Sequence, residues 1–323
     1  MTRPRILVTH WVEQEVLDLL ASAGEVEANP TRESWSPAEV RARAADKHAI
    51  MAFMPDRVDA AFLAACPDLR IIACALKGFD NFDRAACAAA GVQLSIVPDL
   101  LTAPTAELAI GLAIGLGRQI RDGDALVRAG DFAGWRPILY GFGLDGATVG
   151  LLGLGAVGRA IADRLAGFGC RVIAHDPGAA PRADVTLLPF PELLALSDLL
   201  ISAAPLTPTT RHMLDARALA ATRPGALLVN IGRGSVVEEA AVLAALQSGH
   251  LGGYAADVFE FEDWLLPGRP LEIAPALRTH PRTLFTPHLG SAVARVRREI
   301  SLRAAHNILD ALAGCTPRDL LPP

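Results

Sequence analysis

Along the first hundred residues, short apolar runs alternate with stretches of helical period. Runs at 6–8, around Val26, and at 49–53, 69–76 and 92–97 predict strands, and residues 13–23, 37–45, 59–65 and 83–90 predict helices between them. That alternation predicts a parallel sheet with helices on both faces. The pattern resumes later, with strand runs at 198–204, 226–230, 253–259 and 283–286 and helices at 213–222 and 238–247. Between the halves, Thr102-Ala-Pro-Thr-Ala-Glu107 offers a capping residue, a first-turn proline and an early acid, so it predicts the start of an apolar helix over 106–118. Gly111 and Gly115 share a face of that helix, for tight packing or for a subunit contact.

One stretch turns this architecture toward a ligand. In Thr148-Val-Gly-Leu-Leu-Gly-Leu-Gly-Ala-Val-Gly-Arg159 an apolar strand breaks into glycines and then becomes an amphipathic helix closed by Gly169. This is G-x-G-x-x-G in the setting it requires. Gly153 makes the tight turn, Gly155 lets the backbone approach a pyrophosphate, and Gly158 lets helix and strand pack closely. The helix N-terminus then offers N–H groups and positive dipole to phosphate. The next strand, 171–176, ends at Asp176, where an acid accepts from a ribose and repels a 2′-phosphate, so NAD is favoured over NADP.

Composition narrows the classes of function. Of 323 residues, 51% are hydrophobic and 20% charged, which describes a folded protein long enough for two domains. A net charge of −5 gives no reason to expect nucleic acid or an anionic membrane, so an anionic substrate requires local cations. The apolar stretch 108–117, between Glu107 and Arg118, is far shorter than the roughly 20 residues of a membrane span. The start, from Met1 to His10, does not read as a signal peptide. Five cysteines without a C-x-x-C pair read as reduced thiols in a cytoplasmic protein. No metal is expected.

Reactive side chains fall at strand ends. Arg233 follows the strand ending at Asn230, Asp257 and Glu262 lie at and beyond the end of the next, and His288 follows the last. In an open α/β sheet this edge binds ligands. Arg233 can fork hydrogen bonds to an anion, His288 can exchange a proton near neutral pH, and Glu262 can orient it. The basic run Arg295-Val-Arg-Arg298 reads as a solvated helix face.

These motifs resemble the D-2-hydroxyacid dehydrogenase family over essentially the whole chain: the glycine motif, Asn230-Ile-Gly-Arg-Gly-Ser235, Asp257-Val-Phe-Glu-Phe-Glu262 and Thr286-Pro-His-Leu-Gly-Ser291 stand in family order. Met51-Ala-Phe-Met-Pro-Asp-Arg57, Cys74-Ala-Leu-Lys-Gly-Phe-Asp-Asn-Phe-Asp83, Val97-Pro-Asp-Leu-Leu-Thr-Ala-Pro-Thr105 and Phe259-Glu-Phe-Glu-Asp-Trp264 resemble its phosphonate dehydrogenase branch, which oxidises phosphite to phosphate with NAD. Ordinary hydroxyacid members usually lack a lysine at the position of Lys77. The resemblance implies a Rossmann NAD domain at 101–291. It also implies a flavodoxin-like substrate domain at 1–100 and 292–323, a cleft between the two, and a homodimer. It implies Arg233, Glu262 and His288 as the catalytic set, with Lys77, Met54, Arg233, Trp135, Tyr140, Ser291 and Arg297 at the substrate. NAD would be held by Lys77, Thr105, Gly153, Gly155, Ala156, Val157, Gly158, Asp176, Pro205, Leu206, Thr207, Ile231, Arg233, Asp257 and His288.

A reductase of glyoxylate or hydroxypyruvate would use the same catalytic set, with His288 protonating a carbonyl. In phosphite oxidation His288 acts either as base for the attacking water or as a cation that positions phosphite. An NAD-sensing binding protein like the family's corepressors is a third reading.

Overall fold

Five short strands carry the apolar runs of the first half: β1 (Arg5–Val8), β2 (Glu25–Ala28), β3 (Ala49–Ala52), β4 (Ile71–Cys74) and β5 (Gln93–Ser95). They pair in parallel in the order β2-β1-β3-β4-β5, the flavodoxin-like order. Alternation along each strand sorts the side chains into two cores. Ile6, Val8, Met51, Ile71 and Ala73 meet Val16 and Leu20 of helix Gln14–Ala21 and Ile300, Ala304 and Ile308 of helix Ala294–Leu312. Leu7, Ile50, Ile72 and Cys74 meet Val40, Phe62, Leu63 and Cys87 on the opposite face. Asp59 and Asp83 begin the helices there, accepting the N–H of Phe62 and of Ala86 at 2.9 Å each.

The computed structural model describes residues 3–322. Met1, Thr2 and Pro323, the outer ends of the expected substrate domain and of the leader reading, lie outside the described residues. The chain divides into two units, one running to Leu101 and resuming at Ala292, the other spanning Thr102–Ser291.

The second unit holds β6 (Thr148–Leu152), β7 (Arg171–His175), β8 (Thr186–Leu187), β9 (Leu199–Ser202), β10 (Leu227–Asn230), β11 (Gly253–Ala256) and β12 (Thr283–Phe285). Among the described residues these form one seven-stranded parallel sheet, β12-β11-β10-β9-β6-β7-β8. The order reverses between β6 and β9, which is the switch point where a doubly wound sheet opens its ligand crevice. Helix Thr102–Gly117 starts four residues earlier than its apolar run suggests, because Pro104 fits a first turn, and its apolar face joins the core of β6, β9 and β10.

The tight packing expected of that helix's glycines is found at one of the two. A Cβ on Gly111 would meet open space, whereas one on Gly115 would come within 2.8 Å of Leu284 of β12, so the close approach is to a strand and not to another helix. Helix Ile120–Arg128, which the pattern did not announce, buries none of its residues within the chain. Among the described residues no helix is long and apolar enough to cross a membrane.

Candidate active site

The ends of β10, β11 and β12 lie side by side in the second sheet, so the loops that leave them meet. Asn230 closes β10 and braces the next turn: its Nδ2 donates to the Arg233 carbonyl at 3.0 Å and its Oδ1 accepts from Gly232 N at 3.2 Å. Arg233 is thereby presented just beyond the sheet edge. Gly234 must be glycine, since a Cβ there would fall 1.9 Å from the Phe259 carbonyl carbon of the loop after β11.

That second loop closes in a 3-10 turn, Glu260–Glu262, whose start is fixed by Phe259 N donating to Glu262 Oε1 at 2.9 Å. The other carboxylate oxygen, Glu262 Oε2, lies 2.6 Å from His288 Nδ1. A carboxylate there holds the proton on Nδ1 and leaves Nε2 as the atom that exchanges one. Both side chains keep some exposure, as a group that meets substrate requires.

His288 has a φ of +56°, a backbone conformation uncommon for a residue with a side chain. Asp257 secures it. Its Oδ1 accepts from Thr286 Oγ1 and Leu289 N at 2.6 Å each, its Oδ2 accepts from Gly290 N at 2.8 Å, and its carbonyl accepts from His288 N at 2.9 Å. Burial pushes the Asp257 carboxyl up, and the donors from Thr286, Leu289 and Gly290 pull it back. Thr105 Oγ1 adds a bond to Gly290 O at 3.2 Å. Asp257 and Thr105, expected at the cofactor, thus also brace the turn that carries the histidine.

The phosphate end of the edge has the geometry a dinucleotide requires. Gly153 has φ +95°, Gly155 precedes helix Ala156–Leu165 with open space at its Cβ position, and a Cβ on Gly158 would lie 2.2 Å from Gly153 O. The first-turn amides, at Ala156 and Val157, point out of the helix end with no acceptor within the helix. Asp176 sits just past β7. Its Oδ2 accepts from Leu154 N at 2.8 Å and its Oδ1 from Gly178 N at 2.9 Å, so it ties the glycine turn to the acid that would face a ribose. The loop after β9 carries Pro205, Leu206 and Thr207. It is closed by Thr210 Oγ1 donating to Pro205 O at 2.7 Å, while Ile231 is buried beside it, its N–H donating to Ser202 O at 3.0 Å. These residues fit an NAD cofactor.

Comparison with known proteins agrees. Residues 110–290 match the model of the D-isomer specific 2-hydroxyacid dehydrogenase NAD-binding domain. Glyoxylate reductase of Thermococcus onnurineus is 31% identical over 99% of this chain and 96% of its own. The chain belongs to the D-isomer-specific 2-hydroxyacid dehydrogenases. Among solved structures, the TT0316 protein of Thermus thermophilus superposes on this dehydrogenase with a TM-score of 0.90, at 33% identity over 98% of this chain and 100% of its own. The NADPH-dependent glyoxylate/hydroxypyruvate reductase of Sinorhizobium meliloti, solved with NADP and malonate, gives 0.86, at 31% identity over 99% and 97%. The dehydrogenase therefore has the two-domain parallel α/β fold of its family and an NAD-binding domain.

In the first unit of the dehydrogenase, Met54 and Lys77 follow the adjacent strands β3 and β4, so both stand at one sheet edge. Arg297 joins them from the first turn of helix Ala294–Leu312, donating Nη1 to Ala75 O at 3.3 Å with its guanidinium 5.7 Å from the Phe53 ring centroid. The solvated-face reading holds for Arg295 and Arg298 but fails for Arg297, which that helix turns inward. Burial lowers the pKa of Arg297 and of Lys77, with Asp99 opposing it at the lysine.

Two residues went unremarked in the sequence. His10 follows β1, its Nδ1 3.1 Å from Thr9 Oγ1 and 4.0 Å from Asp56 Oδ2. Burial and the neighbouring Arg297 charge push it down to about 4. Asp56 is buried beneath the Met54 loop, accepting Thr9 Oγ1 at 2.5 Å and Phe53 N at 2.7 Å, and burial pushes it up to about 6. The strand-end rule, applied to β1, would have singled out His10.

The structure does not bring Trp135 and Tyr140 to the edge of their own unit that carries Arg233, Glu262 and His288. They are 80% and 75% exposed, on a segment without regular structure. Tyr140 lines a cavity of about 320 Å³ with Gly225, Gly252 and Thr283, at the amino ends of the strands. Ser291 closes the second unit just after the His288 turn.

Proposed function

We propose that the enzyme oxidises phosphite to phosphate, with NAD as hydride acceptor. Arg233, Glu262 and His288 are its catalytic set and Lys77 is an anion-binding cation. The observation that carries this reading is Lys77 itself: a half-buried ammonium just past the end of β4, in a loop whose Ala75 carbonyl accepts from the inward-turned Arg297 and within a segment that resembles the phosphonate branch. Phosphite has almost no apolar surface, so its affinity must come from charge-assisted hydrogen bonds, and Lys77 supplies a local cation for them in a protein of net charge −5. When bound, NAD supplies the acceptor for the hydride. Water supplies the new phosphorus–oxygen bond as the phosphorus–hydrogen bond breaks. His288 Nε2 takes the proton that water loses, and Glu262 stabilises the imidazolium.

A second reading has specific support. The relatives named above that carry an activity are glyoxylate or glyoxylate/hydroxypyruvate reductases, so they favour 2-oxo acid reduction, with His288 Nε2 giving its proton to the carbonyl oxygen. The comparisons weigh toward this chemistry, and Lys77 with its flanking segments weighs toward phosphite. Absorbance of NADH decides. Appearance with phosphite and NAD, and no consumption with glyoxylate or hydroxypyruvate, supports the first reading. The reverse sinks it.

The helix Ile120–Arg128 and the segment after it expose Ile120, Val127, Phe132, Trp135 and Tyr140. An apolar run of this size favours a homodimer built on that face. A monomer in light scattering would refute it.

A further inference from the structure

We propose that Glu239, Glu260 and His212 form a clasp that holds the Glu262 turn against the Arg233 loop and so positions the Glu262–His288 pair. The clasp rests on the assignment of Arg233, Glu262 and His288 as the catalytic set, and it applies to either substrate.

The contacts are reciprocal. Glu260 N donates to Glu239 Oε1 at 2.9 Å, and Glu239 N donates to Glu260 Oε1 at 3.3 Å. The two acids lie at the starts of the 3-10 turn Glu260–Glu262 and of helix Glu239–Gln247, so the exchange pins the catalytic turn to a helix end. His212 arrives from a third loop. Its Nε2 lies 2.9 Å from Glu260 Oε1, and its own N–H donates to Ser235 O at 2.7 Å, two residues beyond Arg233. Ser235 N in turn donates to Asp263 Oδ2 at 2.8 Å, just after Glu262. Thus His212 grips both catalytic segments at once, and it does so from a φ of +49°. Gly234 is backed closely against Phe259, so the two loops also touch through their backbones.

The charges explain why a histidine belongs there. Glu239 is faced by Glu260, Glu262 and Asp263, by the neighbouring Glu238, and by the buried Tyr254 phenol. Burial with these negative charges pushes Glu239 up to about 7, against the pull of the Glu260 N–H. His212 offsets the charge on Glu260, which burial likewise pushes up. Above neutrality Glu239 becomes a further anion beside Glu260, which loosens the pairing between the two.

The test uses the NAD-bound full chain with E239A, E239Q and H212A, read by kinetics across pH and by hydrogen–deuterium exchange. The clasp requires E239A to lose about 10- to 100-fold in kcat with KM for NAD within about threefold. Exchange must rise in peptides covering 233–236 and 259–263. E239Q keeps the acceptor for Glu260 N and must recover most of the loss near pH 6, while its profile lacks the inflection near 7. If E239A does not fold, H212A must show a fall in kcat of about threefold or more with faster exchange at 259–263. Wild-type kcat, or unchanged exchange in either peptide, overturns the clasp. Exchange needs no turnover, so a protein inert toward every substrate would refute the proposed function and leave this arm to decide the clasp.

Discussion

Both sheets end in polar loops, but the two edges are built on opposite terms. The β10–β12 edge is acidic and internally saturated: Asp257 accepts three hydrogen bonds from one turn, and Glu262 divides its oxygens between Phe259 N and His288. The β3–β4 edge is cationic, with Lys77 and Arg297 both partly stripped of water. A saturated edge fixes geometry, which proton transfer needs. Charge in a partly desolvated setting acts more strongly on a nearby anion than charge in open water. The difference teaches that one edge holds its geometry through a closed set of hydrogen bonds while the other concentrates positive charge.

The contrast breaks first at the histidine. His288→Ala removes the proton-exchanging atom and is expected to lower kcat at least about 1000-fold, with NAD affinity within a few-fold by titration. A residual rate near wild type would end the assignment of chemistry to the acidic edge. At the cationic edge, Lys77→Ala is expected to raise the phosphite KM about 10- to 100-fold while kcat moves by less than about fivefold, since a lost charged hydrogen bond weakens binding by roughly 1.5–3 kcal/mol. A kcat loss with unchanged KM would place Lys77 in the chemistry and erase the distinction.

Asp257→Ala sharpens it from the other side. The change orphans the Leu289 and Gly290 amides, and urea unfolding should show a loss of about 2–4 kcal/mol. A variant as stable as wild type would show that the His288 turn holds itself. The smallest effect concerns pH. Asp56 has a folded pKa raised to about 6, so the folded state holds its proton more tightly and stability falls as pH rises from about 4 to 6. His10, lowered to about 4, does the reverse, because the unfolded state takes the proton first as pH drops below its ordinary 6.5. The two slopes oppose each other. Asp56→Asn should therefore gain about 1–2 kcal/mol relative to wild type between pH 4.5 and 7.5 in urea midpoints. A pH-independent difference would contradict a buried, ionising Asp56.

Much of this fold was legible because a parallel sheet writes itself as apolar runs with polar residues at their ends. β10, β11 and β12 each hand off to a reactive residue, and sheet order makes those residues neighbours. The strands proved shorter than their apolar runs, as in β4, where Leu69 and Leu76 are buried without extending the ladder. What stayed hidden has no period. His212 meets Glu260 across 48 residues, and Arg297 differs from Arg295 and Arg298 only in which way one turn of helix faces. Helix Ile120–Arg128 escaped because, among the described residues, its apolar side chains find no core, and burial is what a hydrophobic pattern reports.

The double hold on Asp176 constrains how this enzyme could change its cofactor. The carboxylate that would turn away a 2′-phosphate is also the strut beneath Leu154, inside the glycine turn. Deleting the acid to admit NADP would slacken the pyrophosphate loop in the same step, so selectivity and affinity cannot be traded independently at this position. The open route keeps Asp176 and adds a cation beside it, at Pro177 or Gly178. An evolving lineage, or an engineer, would find the single-step path downhill in binding and the additive path the passable one.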